Sequence, residues 1–310
     1  MARPLRIDQE ETFYHVINRG NERRIIFRDD ADYEGFLSRL GRCSERFELD
    51  VFAYVLMRNH YHLLVRTHEA NLSRAMQWLG VSYSSWHNAR HHRIGHLFQG
   101  RFKSFIIQET AYIYRLLLYI HRNPLRAKAT EDLADYCWSS YLPLGYGRFR
   151  PDWFDPQLVY DYFDMDRRTF RRAVRLYDEK SDDLWSSLYY GVILGSAEVV
   201  ESVRKKLAGQ ACDEKPQLRG LQAHGSIDDR IDDYRKRLDI SKAEYQEYLR
   251  PVRRRCRPKR DLLMYLLWRD GRYALAEIAS HFHVKYTAVC QARTRAERLL
   301  EKDKRLRRSL

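Results

Sequence analysis

The chain is poor in the features that would tie it to a membrane, a secretory route or a covalent framework. Its five cysteines (Cys43, Cys137, Cys212, Cys256 and Cys290) are scattered, odd in number and never in a Cys-x-x-Cys pair. Neither a disulfide framework nor a cysteine zinc site is indicated. No apolar run approaches the roughly 18 residues of a spanning helix. Met1-Ala2-Arg3-Pro4-Leu5-Arg6 runs into acidic residues instead of an apolar segment, so no secretory signal is expected. No similarity recurs at 20–50 residues, against a solenoid, and no Walker-type phosphate loop is present, against an appended helicase. A soluble, cytoplasmic protein is the expectation.

What the chain does have is positive charge. Its net charge is +14 over 310 residues and its pI is about 9.6, which favours a polyanionic partner, nucleic acid first. A hydrophobic share of 44% is enough for packed cores, and the length suggests two domains. From Pro251 to Leu310 there are 17 Lys and Arg against 6 Asp and Glu, so most of the excess lies at that end.

The pattern along the chain predicts strand, helix, strand, strand, helix, strand, helix. Thr12 to Arg19 alternates as a strand and stops at Gly20-Asn21. Asp29 to Arg46 has helical spacing with Asp29 or Asp30 as N-cap. Asp50 to Leu56 and His60 to Val65 read as a hairpin turned at Arg58-Asn59. Leu72 to about Asn88 is a second helix, and a basic stretch around Arg90 and Arg93 leads into a strand over Phe98 to Ile107. Glu109 to Asn123 is a third helix, ended by Pro124. This order is that of an α+β domain, a ferredoxin-like antiparallel sheet with helices on one face. We expect it to occupy residues 1–148, followed by a helical connector (149–209), a linker (210–225) and a basic helical domain (226–310). Within the last, Leu275 to about residue 296 has the apolar spacing of a helix-turn-helix, with His283 where glycine is often found.

Chemistry concentrates in three places. On a strand His60 and His62 project from the same face, with Tyr61 on the other. Two imidazoles on rigid backbone suit a divalent metal, although a His-x-His alone is more often a pair of solvated histidines. In the third helix, Tyr119 and Asn123 are four apart and share a face. Tyrosine is a poor nucleophile near neutrality, with a pKa near 10, but becomes useful against phosphate beside a metal. The His pair would hold that ion, with the Asn123 oxygen as third ligand. Arg101 and Lys103, on one face of the strand before that helix, suit a phosphate backbone. Arg90 and Arg93 would belong to a mobile clamp. Phe98, Phe102 and Trp86 either stack bases or, more often, pack in the core.

Asn59-His60-Tyr61-His62-Leu63-Leu64, Phe98-Gln99-Gly100-Arg101-Phe102-Lys103 and Tyr119-Ile120-His121-Arg122-Asn123-Pro124-Leu125-Arg126-Ala127 together resemble the single-tyrosine HUH transposase superfamily, over roughly residues 8–145. Tyr14-His15-Val16-Ile17-Asn18-Arg19-Gly20-Asn21 extends the similarity. The branch most resembled is the REP-associated tyrosine transposases, and the C-terminal part is weakly similar to the DNA-binding domain of the replication initiator DnaA. The resemblance implies a nuclease domain in which Tyr119 attacks single-stranded DNA, leaving a 5′-phosphotyrosine and a free 3′-OH. It further implies that His60, His62 and Asn123 bind Mg2+ or Mn2+, and that substrates are hairpins of palindromic repeats or transposon ends. The protein would be bacterial, nucleoid-associated and monomeric. Tyr61 and Arg58 depart from the usual aliphatic residue and proline. Candidate DNA contacts are Arg58, Arg90, Arg93, Arg101, Lys103, Arg122 and Arg126 in the first domain. In the last they are Arg253, Arg254, Arg255, Lys285, Tyr286, Thr287, Gln291 and Arg293, for duplex DNA. The rival readings are a domesticated, non-catalytic DNA-binding regulator and a replication-initiating or relaxase nuclease.

Overall fold

Runs of β-branched and aromatic residues build a four-stranded sheet: β1 (Thr12–Arg19), β2 (Leu49–Met57), β3 (His60–Thr67) and β4 (Lys103–Ile107). In this computed structural model the described residues are 7–178, 184–189, 192–207, 227–250, 257–270, 273 and 275–303. The chain divides near residue 182 into two compact units.

In the first unit the strand order is β2-β3-β1-β4, and every pairing is antiparallel. Registers such as His62 opposite Ile17, and Ile17 opposite Lys103, put these three side chains on one face, because directly paired residues point the same way. Three helices frame the sheet: α1 (Asp30–Phe47), α2 (Leu72–Arg90) and α3 (Thr110–Arg126). Asp29 caps α1 by accepting from the Asp32 N–H at 3.1 Å, as the sequence predicts. The α+β class is as expected, but the helices lie on both faces. Tyr61 packs against Phe36 of α1 at 4.8 Å between ring centres, while His62, one residue on and so on the opposite face, meets Tyr119 of α3. With both faces apolar, one helical layer could not cover the sheet.

Two further boundaries differ from expectation. β4 begins only at Lys103: Gly100, with φ of +119°, lies in a bend that interrupts the run from Phe98. Helix α3 continues through Pro124 to Arg126. Proline cannot donate to the Ile120 carbonyl one turn back; the Asn123 Nδ2 takes that place at 3.2 Å and also reaches the Tyr119 carbonyl at 3.0 Å.

The segment 149–209, expected to be one connector, does not act as one. Its helices α5 (Pro156–Phe163) and α6 (Arg167–Leu176) belong to the first unit, as does α4 (Tyr141–Tyr146) just before the segment. Tyr162 of α5 lies 5.0 Å from Phe13, and Phe170 of α6 meets the His121 ring at 5.1 Å. Their aromatic faces had to be buried somewhere, and β1, β2 and α3 supply the surface.

The second unit contains the short strands β5 (Leu188–Tyr189) and β6 (Ile193–Leu194), and helices α7 (Ala197–Leu207), α8 (Ile227–Arg237) and α9 (Lys242–Leu249). Helices α10 (Pro258–Asp270), α11 (Leu275–His281) and α12 (Tyr286–Lys302) complete it. Ile231, Leu263, Leu267, Ile278, Phe282, Val289 and Ala292 fill its core. The expected linker at 210–225 lies outside the described residues. Among the described residues no helix is long and apolar enough to cross a membrane.

Candidate active site

The β2–β3 hairpin carries the histidine pair. Its Arg58-Asn59 turn is held from outside: the Arg58 carbonyl accepts from the N–H groups of Ile26 and Phe27 at 2.8 and 3.1 Å, and the Asn59 carbonyl from Gly20 at 2.8 Å. Gly20 is required there, since a Cβ would come within 2.1 Å of the Arg24 carbonyl oxygen. The alternation of β3 then sends Tyr61 into the core and leaves His60 and His62 together on the other face, ring centres 5.1 Å apart.

Both imidazoles are kept neutral. Burial, helped by the charges of Arg126 and Arg19, lowers His60 to about 4. Burial lowers His62 well below its usual value, with His15, His60 and Arg126 adding to the shift. His60 Nδ1 donates to Asn59 Oδ1 at 2.7 Å, which leaves Nε2 with its lone pair. His62 Nδ1 is 2.9 Å from His15 Nε2; the tautomer that donates from His62 Nδ1 frees its Nε2 in the same way. His15, on β1, is itself fully buried and lowered to about 3, by burial first and Arg126 second. Neutral imidazoles, each with its second nitrogen oriented by a partner, have the chemistry of metal ligands. The donor set therefore fits a divalent ion.

Helix α3 lies across this face. The Tyr119 ring stands edge-on to His62 and His15, 6.4 and 6.5 Å between centres. Because α3 runs one turn past Pro124, Arg126 joins the face of Tyr119 and Asn123. Its Nη1 donates to the Tyr119 hydroxyl, its Nη2 to Asn123 Oδ1 at 2.6 Å, and its guanidinium lies 4.5 Å from the centre of the Tyr119 ring. Asn123, 2% exposed, thus has both ends of its amide engaged. His121 faces away and is buried, its Nδ1 donating to the Leu117 carbonyl at 2.7 Å and its Nε2 2.7 Å from Ser140 Oγ.

The remaining candidates separate by what holds them. Arg58, Arg101 and Lys103 are exposed, and Lys103 shares the histidine face through its pairing with Ile17. Arg101 does not share a strand with it, for the reason given above. Arg90 is not part of a mobile clamp: it ends α2 and pairs with Asp29 and Asp32 at 3.0 and 2.8 Å. Arg122 donates to the carbonyls of Val174 and Arg175, closing the end of α6. Phe98 and Phe102 are buried, and Trp86 is sandwiched beside Arg39, 4.6 Å from its ring centre. Arg93 is half-buried in the loop after α2. In the second unit Lys285, Thr287 and Gln291 are exposed at the start of α12, whereas Tyr286 packs on the core and Arg293 stacks on Trp268 at 4.5 Å. Arg253, Arg254 and Arg255 lie outside the described residues. Sequence reasoning gave no role to His15 or Arg19, which pair opposite Leu64 and His60 on the same face. Their parity along β1 was visible, but the register that brings them to β3 was not.

Residues 8–123 match the family described as IS200-like transposases. No curated protein matches the chain. Among solved structures, that of a REP-associated tyrosine transposase bound to a REP hairpin is similar with a TM-score of 0.41 and 17% identity, covering 49% of this chain and 89% of that one. Tyr119, Asn123 and the histidine pair all lie inside the span that is similar to that family.

Proposed function

We propose that the protein is a metal-dependent endonuclease and strand transferase for single-stranded DNA, acting beside hairpins formed by palindromic repeats or transposon ends. The observation that carries this reading is the packing of Tyr119 against His62 and His15, with Arg126 on its hydroxyl.

In the proposed reaction the Tyr119 oxygen attacks a backbone phosphorus and the bond from phosphorus to the 3′ oxygen breaks. A 5′-phosphotyrosine and a free 3′-OH result, and the phenol proton ends, in sum, on the 3′ oxygen. Energy of the phosphodiester is thereby kept for rejoining. Arg126 stabilises negative charge at the phenolic oxygen and on the phosphate that becomes joined to it. Lys103 and Arg19 supply positive charge on the same face for the incoming strand. His60 and His62 would hold Mg2+ or Mn2+, with Asn123 Oδ1, which has a second lone pair beside its bond to Arg126, as the third protein ligand. When bound, such an ion draws charge from the non-bridging phosphate oxygens. In the second unit the exposure of Lys285, Thr287 and Gln291 at the start of α12, after the turn from α11, supports reading α12 as a recognition helix for duplex DNA.

The test is a fluorescent single-stranded hairpin incubated with protein and Mn2+ or Mg2+ and run on a denaturing protein gel. A labelled adduct is expected, lost in Tyr119→Phe and in the His60→Ala, His62→Ala double variant. Adduct that survives Tyr119→Phe would move the nucleophile elsewhere. Tight binding without adduct, across several hairpins and both metals, would replace this reading with a non-catalytic DNA-binding regulator.

A further inference from the structure

A second cluster of ligand-type side chains lies between the first turn of α1 and the end of α2, the helices on the sheet face away from Tyr119. Asp32 and His87 have fully buried side chains and that of His91 is 12% exposed. One donor atom from each lies within 4.8 Å of the others. His91 Nε2 is 2.8 and 2.9 Å from the two Asp32 oxygens, the His87 and His91 rings are 4.4 Å apart, and His87 Nε2 is 3.8 Å from Asp32 Oδ2, too far for a hydrogen bond.

His87 is the informative member. Neither of its ring nitrogens has a hydrogen-bond partner among the described residues, although the side chain is buried. Buried polar groups without partners cost free energy and are rare, so such a group calls for a ligand. Its surroundings define which. His87 and His91 are four apart at the end of one helix, the spacing by which a helix presents two imidazoles to one ion. Asp32 adds a carboxylate from the neighbouring helix, already oriented by the Arg28 backbone N–H at 2.8 Å. Two nitrogens and one oxygen form a set for a borderline ion such as Zn2+ or Co2+; Mg2+ prefers oxygen ligands.

Arg90 presently neutralises Asp32 but has a second carboxylate, Asp29, at 3.0 Å. It can surrender Asp32 to a metal and stay paired. Arg28 and Arg93 add positive charge near His87, which sets the affinity below that of a sealed structural zinc site.

We infer that Asp32, His87 and His91 form a binding site for a transition-metal dication, separate from the catalytic pair, that ties the start of α1 to the end of α2. The inference does not depend on the proposed nuclease activity. The full-length protein carrying His60→Ala and His62→Ala, which removes the catalytic pair, is titrated with Co2+ and followed by visible absorption, then with Zn2+ and followed by thermal unfolding. Saturable Co2+ absorption displaced by Zn2+, and a thermal midpoint raised by Zn2+, are expected. Adding His91→Gln or His87→Gln should weaken binding by about 10-fold to 100-fold, as loss of a metal-supporting group does. His91→Gln, near the surface past the last turn of α2, keeps the test available if His87→Gln does not fold. Absence of saturable Co2+ absorption, or binding and midpoint shift unchanged by His91→Gln, overturns the proposal.

Discussion

At the scale of residues, the consequential contact is the guanidinium of Arg126 on the Tyr119 hydroxyl. Arg126→Gln should slow adduct formation by about 100-fold to 1000-fold, the usual effect of losing one preorganised donor at developing charge. Hairpin affinity and the far-ultraviolet circular dichroism should change little. A parallel loss of folding or of binding would instead make Arg126 a structural or general phosphate contact. Buried imidazoles also make stability depend on pH. Burial lowers His121 to about 4 in the folded protein, against an ordinary value near 6.5. The unfolded chain therefore takes up a proton first, so the stability contributed by the neutral ring is complete above about pH 6.5 and is lost as pH falls toward 4. Urea unfolding between pH 7 and 5 should be steeper in pH for the wild type than for His121→Gln, by up to about 1.4 kcal/mol per pH unit. Parallel profiles would contradict the burial of a neutral His121. Among residues, the His60–His62 pair and its relation to Tyr61 were legible from alternation alone. His15 was not, because its part depends on a neighbour 47 positions away.

At the scale of elements, helices and the hairpin followed local pattern, while their ends followed tertiary contacts. Pro124 reads as a stop, yet the amide of Asn123 fills the hydrogen bond that proline cannot make, and α3 gains the turn that brings Arg126 to Tyr119. The strand expected from Phe98 was cut short at Gly100, whose φ of +119° no strand shares. The turn between α11 and α12 illustrates the reverse case. His283 stands where glycine is common, and its φ is +51°, a left-handed conformation that costs a non-glycine residue about 1 kcal/mol. His283→Gly should therefore stabilise the second unit by about 0.5–1 kcal/mol, read as a raised midpoint in urea. An unchanged or lowered midpoint would mean that the His283 side chain makes a contact worth more than the strain.

At the scale of the whole molecule, charge and division into units are the relevant quantities. The +14 net charge is concentrated toward the C-terminus, and the exposed start of α12 offers Lys285, Thr287 and Gln291 together. If this face engages duplex DNA, Lys285→Ala should weaken binding across sequences alike and reduce the slope of log K against log salt by about one. Gln291→Ala should instead relax discrimination at one base pair while leaving the salt slope in place. Equal salt slopes for wild type and Lys285→Ala would remove the phosphate contact from Lys285.

The sequence by itself determined the α+β class, the hairpin that pairs His60 with His62 and the helix that aligns Tyr119 with Asn123, because each depends on a local period or a single turn. Only the tertiary structure decided that helices cover both sheet faces, that His15 and Arg126 join the site, that Arg90 and Arg122 are held by structural partners, and that Asp32 meets His87 and His91. Those outcomes depend on strand register and on which faces bury each other, and they bring together residues whose separation in the chain carries no periodic signal.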